Sequence, residues 1–237
     1  MPFEERVVLI AGATGGLGRA AAEAFAAAGA RLVLCGTDRS RLAAVAADLG
    51  LVDGRWAPAV GDLRQPADAR AAALTALDAF GRIDVLLHLV GGFAGGTPVV
   101  DLDPDETRQM IDQHFWETLN NVQAQVPGMI AQGWGRIVAA SSVAAVNAPA
   151  RSGHYAAAKA AQETLLRSLA KEVAGNGVTV NVVAIRAIDE AGERESVPTA
   201  KNAPWTTPDE IVATILYLCS EAASPINGAR VPLDGRA

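Results

Sequence analysis

The sequence is poor in cysteine and in aromatic residues, and it has no long apolar run. Only two of its 237 residues are cysteine, and Cys35 and Cys219 lie far apart within apolar stretches. This excludes a disulfide framework and a thiol-rich metal site. No apolar run reaches the roughly 18 residues that a membrane-spanning helix needs, and the acidic start of the chain does not resemble a secretory signal.

The sequence also lacks an excess of basic residues. Twenty Lys and Arg residues stand against 26 Asp and Glu residues, which gives a formal net charge of −6. Such a charge offers no general attraction for nucleic acid. We therefore expect a cytoplasmic protein that acts on a small molecule and has neither a nucleic-acid nor a membrane partner. His88, His114 and His154 share no ligand spacing, so no metal site is expected.

Apolar residues make up half of the chain and fall in short runs between Ala-rich amphipathic segments. The runs predicted as strands are 6–11, 31–35, 56–60, 83–90, 136–140, 178–184 and 231–233. The segments predicted as helices are 17–28, 39–49, 66–80, 104–132, 153–173 and 208–221. Alternating helices and apolar strands predict an α/β fold, with a doubly wound parallel sheet of seven strands covered by helices on both faces. We expect a single domain over 1–237, with the polar segment 186–205 as a short lid loop.

A glycine-rich turn follows the first predicted strand and opens the first predicted helix. Glycines let a backbone bend sharply and approach a diphosphate, while the N-terminus of the helix offers free N–H groups to it. At the first strand–helix junction this turn predicts dinucleotide binding, although ordinary connections also use glycine. The residues expected to contact the dinucleotide here are Gly12, Thr14, Gly15, Gly16, Leu17 and Gly18.

Polar residues after the second and third predicted strands are candidates for the adenosine end of the dinucleotide. Asp38 lies 20 residues past Gly18, the spacing of an acid that binds a ribose hydroxyl. The neighbouring Arg39 could instead bind a 2′-phosphate, or the pair could cap the next helix. Asp62 and Leu63 could hold the adenine ring, and Asp62 could equally cap the following helix.

Tyr155 and Lys159 lie four residues apart on a predicted helix, which places them on one face about one turn apart. A phenol is a poor acid or base at neutral pH, but a nearby ammonium stabilises the phenolate and lowers the phenol pKa. Ser142 lies at the end of the preceding strand, 13 residues before Tyr155. The loop between them can bring the serine hydroxyl to the tyrosine.

Over essentially its whole length the chain resembles the short-chain dehydrogenase/reductase family. The matches are the glycine-rich turn at Gly12, Gly16 and Gly18, the Tyr-x-x-x-Lys pair at Tyr155 and Lys159, and the serine at Ser142. The resemblance implies a Rossmann-like fold and hydride transfer between NAD(P) and a carbonyl or alcohol substrate. It implies that Tyr155 exchanges a proton with the substrate oxygen, that Ser142 polarises this oxygen, and that Lys159 binds the nicotinamide ribose and lowers the tyrosine pKa.

The chain departs from the family pattern at several places around the predicted site. The family's Asn-Asn-Ala-Gly stretch is His88-Leu89-Val90-Gly91 here, and of these only Gly91, expected to contact the cofactor, is retained. The Asn of the long helix corresponds to His114, which could relay a proton because imidazole titrates near neutrality, or could fill space in the core. Ile185-Arg186 replaces the family's Pro-Gly.

The residues that select the cofactor are also unusual. The family position whose acid selects NAD is Gly36 here, and the position whose base selects NADP is Thr37. A missing acid removes repulsion against a phosphate, and Thr37 with Arg39 could bind one. We therefore expect NADP rather than NAD.

Three residues are expected to line the substrate pocket: Phe93, Ser142 and Trp205. The glycine-rich run around Phe93 and the stretch up to Trp205 resemble the dihydropteridine reductase branch, which reduces a quinonoid pterin but normally lacks the serine. A third hypothesis, suggested by the departures from the family pattern, is a non-catalytic dinucleotide-binding sensor. The presence of Ser142, Tyr155 and Lys159 together favours an enzyme.

The resemblance also implies self-association. The segments 104–132 and 153–173 correspond to the helices through which family members commonly dimerise. We therefore expect a homodimer or a homotetramer.

Overall fold

One parallel sheet organises residues 3–235, the part of the chain that the computed structural model describes. Its strands are β1 (Val7–Ala11), β2 (Arg31–Gly36), β3 (Trp56–Val60), β4 (Val85–His88), β5 (Gly135–Ser142), β6 (Val178–Ile185) and β7 (Arg230–Leu233). All neighbours are parallel, in the order β3-β2-β1-β4-β5-β6-β7. The predicted seven-stranded parallel sheet is confirmed.

The helices lie where the amphipathic segments predicted them, with two short additions. They are α1 (Gly16–Ala27), α2 (Arg39–Asp48), α3 (Pro66–Phe80), α4 (Pro104–Ile111), α5 (Glu117–Gln132), α6 (Ala144–Asn147), α7 (Gly153–Val173), α8 (Glu193–Ser196) and α9 (Pro208–Cys219). The predicted helix 104–132 is continuous, but a π-helical turn at Asp112–Trp116 joins α4 to α5. Among the described residues, no helix is both long and apolar enough to cross a membrane.

The core lies in two layers, one on each face of the sheet. Val8 and Ile10 of β1 pack with α1, α2 and α9 on one face, where Phe25 is completely buried. Val7 and Leu9 of the same strand pack with α3, α5 and α7 on the other face. Burying one such large side chain contributes about 1.5–3 kcal/mol, and this two-sided burial explains the continuous apolar strands in the sequence.

The two strands at the edges of the sheet, β3 and β7, are less buried than their apolar sequences predict. Alternate residues of β3 are buried, and β7 is only half-buried, because each of these strands has a sheet neighbour on one side only. In the centre, β5 runs two residues further than predicted and ends at Ser142. The chain leaves β1 towards β2 and β3 and later returns to β4, so a crevice opens between β1 and β4 at the carboxyl edge, the usual ligand position in such sheets.

Candidate active site

The glycine-rich turn after β1 brings two loops at the carboxyl edge into close contact. Gly12 has a φ of +86°, and a Cβ built on it would lie 3.0 Å from Val90 N in the loop after β4. A Cβ on Gly18 would overlap Gly12 O, so α1 can start against the turn only because a side chain is missing there. The N-terminal N–H groups of α1 face the space above the turn, which suits a diphosphate.

Two adjoining cavities run along this edge. The first, named here the β2–β3 cavity, has a volume of about 450 Å³ and is lined by Gly12, Thr14, Gly15, Cys35, Gly36, Thr37, Arg41, Gly61, Asp62, Leu63, Arg64, Leu89, Val90, Gly91, Gln113 and Glu117. The second, the β5–α7 cavity, has about 680 Å³, and its lining includes Gly16, Leu17, Gly18, Phe93, Ser142, Tyr155, Lys159 and Glu190. Because the two share the glycine turn and Gly91, they form one continuous cleft along the carboxyl edge of the sheet.

Ser142, Tyr155 and Lys159 meet in the β5–α7 cavity. Ser142 is the last residue of β5, and the other two lie one turn apart on α7. The Ser142 side chain lies near enough to the Tyr155 hydroxyl to lower its pKa, and Ser142 Oγ accepts the N–H of Ala144 at 3.2 Å. Both side chains line the same cavity, and contact of their hydroxyls with one substrate oxygen stays a prediction.

Lys159 is buried and directs its ammonium towards β5. Its Nζ donates to Ala140 O at 3.0 Å and to Gln162 Oε1 at 3.1 Å. Burial lowers the pKa of Lys159 to about 8, while the carboxylates of Glu163 and Glu117 oppose this effect. The ammonium form therefore predominates at neutral pH.

The pKa of Tyr155 moves in the opposite direction to the one expected from the sequence. Burial raises it, and the Ser142 hydroxyl offsets only part of that rise. The lowering expected from Lys159 does not outweigh the effect of burial. Tyr155 is thus held as the neutral phenol, the form that donates a proton.

His114 lies in the π-helical turn and is completely buried. Its Nε2 is 3.1 Å from Gly92 O and must carry the hydrogen to donate there, while its Nδ1 has no partner within residues 3–235. Burial lowers the pKa of His114 to about 3, so the expected titration near neutrality is wrong. The ring stands edge-on to Tyr155, with centroids 5.5 Å apart, which matches the space-filling alternative.

The residues after β2 differ from the prediction in their roles. Asp38 caps α2, accepting from Ser40 N at 2.8 Å and from Arg41 N at 3.2 Å, so the capping alternative describes it and it is not aimed at a ribose. Arg39 opens α2 and does not line either cavity, whereas Arg41 does. The structure offers Arg41 to the cavity in its place, because two further residues along a helix reverse the direction of a side chain.

Asp62 and Leu63 line the β2–β3 cavity, as predicted for an adenine site. The Asp62 carboxylate is bound by the Arg64 guanidinium at 2.8–3.1 Å, which lowers the pKa of Asp62. Gln65, not Asp62, is the N-cap of α3, so the capping alternative for Asp62 is wrong. Asn120 holds the loop from below by donating to Leu63 O at 3.1 Å.

Two carboxyl groups at the cleft were not found by sequence reasoning. Glu117 is buried at the β2–β3 cavity, and burial, together with the charge of Asp62, raises its pKa to about 7. Glu190 lies in the segment after β6, and its carboxylate occupies the space where a Cβ on Gly16 would point. Neither position carries a sequence signal, since both depend on how a helix or a loop is turned.

The predicted substrate-pocket residues separate in the structure. Phe93 is 71% exposed and its ring lies 5.1 Å from the Tyr155 ring, next to Ser142 in the β5–α7 cavity. Trp205 lines neither cavity, so its place in the substrate pocket stays a prediction. The carbonyl of Trp205 accepts from Arg194, which also pairs with Glu210 on α9 and thereby holds this end of the segment away from the cleft.

Comparison with known proteins agrees with this site. Residues 6–201 match the family model described as short chain dehydrogenase. The chain belongs to the short-chain dehydrogenase family. As a member of this family it is an oxidoreductase that acts on alcohol or carbonyl groups with NAD or NADP, so the hypothesis of a non-catalytic sensor is set aside.

Several short-chain dehydrogenases are similar over nearly their whole length. The chain is 34% identical to 1,6-dihydroxycyclohexa-2,4-diene-1-carboxylate dehydrogenase of Pseudomonas putida, over 98% of this chain and 93% of that protein. It is 32% identical to D-threitol dehydrogenase of Mycolicibacterium smegmatis, with the same two coverages of 98% and 93%. A crystal structure of L-sorbose reductase from Gluconobacter frateurii, complexed with NADPH and L-sorbose, covers 99% of this chain at a TM-score of 0.89 and 26% identity, with 97% of that chain covered.

Proposed function

We propose that this short-chain dehydrogenase reduces a ketone to a secondary alcohol, with Tyr155 as the proton donor, and catalyses the reverse oxidation when the phenolate forms. The observation that carries the proposal is that Tyr155, Ser142 and Lys159 lie together in a cavity that opens onto the glycine turn. A carbonyl oxygen placed between the two hydroxyls accepts a hydrogen bond from each. This stabilises the negative charge that develops on the oxygen as the carbonyl is reduced.

The protonation states of the site support reduction at neutral pH. When bound, NAD(P) supplies or removes hydride at its nicotinamide ring. Burial raises the pKa of Tyr155, so the phenol is protonated and ready to donate. Lys159 stays close by as an ammonium and stabilises the phenolate that remains after the transfer.

The residues of the cleft also suit the rest of the cofactor. Gly12 and Gly18 leave room for a diphosphate at the N-terminus of α1, and Asp62 with Leu63 suits an adenine ring. We assign NADP as the preferred cofactor, because Gly36 presents no acid and Thr37 and Arg41 line the place expected for a 2′-phosphate. Lys159 has one N–H group left to donate to the nicotinamide ribose.

The substrate lies, in this proposal, between Phe93 and the two hydroxyls, with the segment 186–205 as its lid in a single domain. Two of the relatives and the sorbose reductase are named for hydroxylated substrates. A polyhydroxylated ketone is therefore the first substrate class to test. A quinonoid pterin is the second, because the glycine-rich run places the Phe93 ring beside Tyr155.

The test is an assay of NADPH and NADH oxidation with keto sugars, 3-oxoacyl thioesters, simple ketones and a quinonoid dihydropterin. The control pair is Tyr155→Phe and Tyr217→Phe, since Tyr217 is the other tyrosine and is 52% exposed on α9. We expect turnover in one class, its loss in Tyr155→Phe and its retention in Tyr217→Phe. Full activity of Tyr155→Phe would show that another group donates the proton.

We further propose a cytoplasmic homodimer or homotetramer that associates through α4, α5 and α7. Two buried free thiols, Cys35 and Cys219, suit a reducing compartment. Light scattering coupled to size-exclusion chromatography gives the mass of the assembly, and cell fractionation gives its location. A monomer at micromolar concentration would contradict the first part of this proposal.

A further inference from the structure

The ammonium of Lys159 has three N–H groups, and the protein accepts two of them. One goes to a strand carbonyl, Ala140 O, and one to a side chain, Gln162 Oε1, three residues further along α7. Gln162 is completely buried. A buried amide is costly unless both its donor and its acceptor are satisfied, so the contacts of Gln162 on its other side determine how firmly it holds the ammonium.

The amide of Gln162 is held by a chain of buried polar groups on two other elements. Its Nε2 donates to Thr118 Oγ1 at 2.8 Å, and the Thr118 hydroxyl in turn donates to His114 O at 2.7 Å. His88, at the end of β4, lies on the same hydroxyl, with Nε2 to Oγ1 at 3.0 Å. Asn121 Nδ2 reaches His88 Nδ1 at 3.2 Å. All of these side chains are buried.

The donors and acceptors of this chain allow one consistent assignment. Asn121 Oδ1 accepts from Gln125 Nε2 at 3.3 Å, so the Asn121 amide is a donor towards His88 Nδ1. His88 must then carry its hydrogen on Nε2 and donate to Thr118. Thr118 thus accepts from His88 and Gln162 and donates to His114 O, which fixes the Gln162 amide with its oxygen facing Lys159.

We propose that Gln162 is a positioning residue for Lys159: it holds the ammonium against β5, and the Thr118–His88 chain holds Gln162. This inference rests on the proposed role of Lys159 at the nicotinamide ribose and in proton transfer. With two N–H groups bound by the protein, the third has one direction left, so the ammonium meets its ligand without first searching for an orientation.

Several charged or titratable groups surround the Lys159 ammonium. Glu163 and Tyr155 face it from α7, and Glu117 faces it from the start of α5. His88 on β4 and His114 in the π-helical turn are near enough to feel its charge, and burial lowers the pKa of each to about 3, so both are neutral. Gln162 is therefore the neutral side chain that contacts the ammonium directly, and its replacement changes the environment of Lys159 without changing these other groups.

The experiment reads the Lys159 pKa directly, without substrate. The chain has three lysines, and Lys171 and Lys201 are exposed, so NMR of protein with isotope-labelled lysine ε-carbons shows three titration curves. The curve that titrates near pH 8 in the wild type belongs to Lys159, and its absence in Lys159→Arg confirms the assignment. The variants are Gln162→Glu and Gln162→Met, with Gln132→Met as the control, since Gln132 is a half-buried amide that donates to Ile83 O and Trp134 O and takes no part in the Thr118–His88 chain.

We expect opposite shifts from the two Gln162 variants. A carboxylate in contact with the ammonium raises the Lys159 pKa by about one unit or more, and loss of the acceptor lowers it by about one unit. Gln132→Met leaves the curve in place. A general packing defect would move the two Gln162 variants in the same direction, and that result, or no shift in either, overturns the inference; if Gln162→Met does not fold, Gln162→Glu alone still decides it.

A second measurement connects the positioning to the cofactor. Gln162→Met should bind NADPH and NADH at least about threefold more weakly at pH 7, because the ammonium is no longer held in one place, whereas Gln132→Met should match the wild type. Equal dissociation constants for the two variants would contradict the inference. Failure of the proposed function is a separate result, since it appears as activity of Tyr155→Phe whatever the Gln162 variants do.

Discussion

The two cavities of the cleft differ in how their polar side chains are held. In the β5–α7 cavity, Ser142 and Lys159 are buried and hydrogen-bonded to other buried groups. In the β2–β3 cavity, Thr37 and Arg41 are exposed, and the Arg41 guanidinium has no hydrogen-bond partner among the described residues. The atoms proposed for the chemistry are thus fixed before any ligand arrives, whereas those proposed to select the cofactor are free to adjust.

The contrast implies that substitutions in the β5–α7 cavity change rates and that substitutions in the β2–β3 cavity change affinities by smaller factors. Ser142→Ala should lower kcat by about 10²–10³-fold with little change in dinucleotide affinity, because it removes one of two donors to the developing oxyanion. Ser141→Ala is the matched control: this neighbour is equally buried, but its hydroxyl binds Glu163 on the other side. Steady-state kinetics on the identified substrate, with similar losses in both variants, would argue against the assigned role of Ser142.

The turn shared by both cavities should tolerate a methyl group at one glycine and not at another. Gly18→Ala places a Cβ on the backbone oxygen of Gly12 and should destabilise the protein by about 3 kcal/mol. In Gly16→Ala the Cβ meets only the flexible end of Glu190, and the loss should stay below about 1 kcal/mol. Denaturant unfolding of both variants checks the pair, and equal stabilities would mean that α1 does not start against the turn.

Among the polar side chains of the β2–β3 cavity, Glu117 differs from Thr37 and Arg41 because it is buried. Its pKa is raised from 4.5 to about 7, so the folded state binds more protons than the unfolded state between these values, and stability falls as pH rises through this range. Glu117→Gln removes the loss and should stabilise the protein by about 2 kcal/mol at pH 8, with no gain below pH 4.5. Thermal unfolding across pH measures the effect, and a gain that is the same at every pH would refute the buried charge.

Arg41 is one of the exposed side chains of the β2–β3 cavity that are proposed to select the cofactor. Arg41→Gln should weaken NADPH binding about tenfold and leave NADH binding unchanged, because only NADPH carries the phosphate that the guanidinium would pair with. Arg39→Gln, on the same helix but outside both cavities, should leave both affinities in place. Fluorescence titration with each dinucleotide measures these affinities. Equal effects of the two variants would contradict the role of Arg41 in selecting NADP.

Glu190 should give the smallest effect. Its carboxylate lies over Gly16, where the diphosphate is proposed to bind, so Glu190→Gln should tighten NADPH binding about threefold at low salt and less at high salt. Glu193→Gln, an exposed acid of the same segment, is the control. A weaker binding in Glu190→Gln would mean that this side chain helps the cofactor instead of opposing it.

The parts of the site that the sequence predicted are those fixed by short-range geometry. Tyr155 and Lys159 share a helix face because of helical periodicity, and Ser142 meets them because it ends a central strand. By contrast, Gln162 and Glu117 depend on how far a helix is rotated about its axis. Periodicity gives the buried face of a helix but not which of its polar residues points at a neighbouring ammonium.

The residues that follow β2 show the same difficulty in predicting where a side chain points. The acid and base after β2 were found, but Asp38 serves the helix as a cap, and the cavity is lined by Arg41 in place of Arg39. The spacing of a motif does not distinguish between two candidate residues that lie only two positions apart. The position of Trp205 depends on an ion pair between Arg194 and Glu210 that no local sequence pattern predicts.

The π-helical turn between α4 and α5 also affects how the chain can change during evolution. A turn of this kind holds one residue more than an α-helical turn, so deleting any single residue of Asp112–Trp116 would leave a regular helix of unbroken hydrogen bonds. The deletion would rotate everything before it by about 100° relative to α5 and carry the His114 ring away from the tyrosine. The loss of one codon would thus keep the helix regular and change the packing around the Tyr155 ring in a single event.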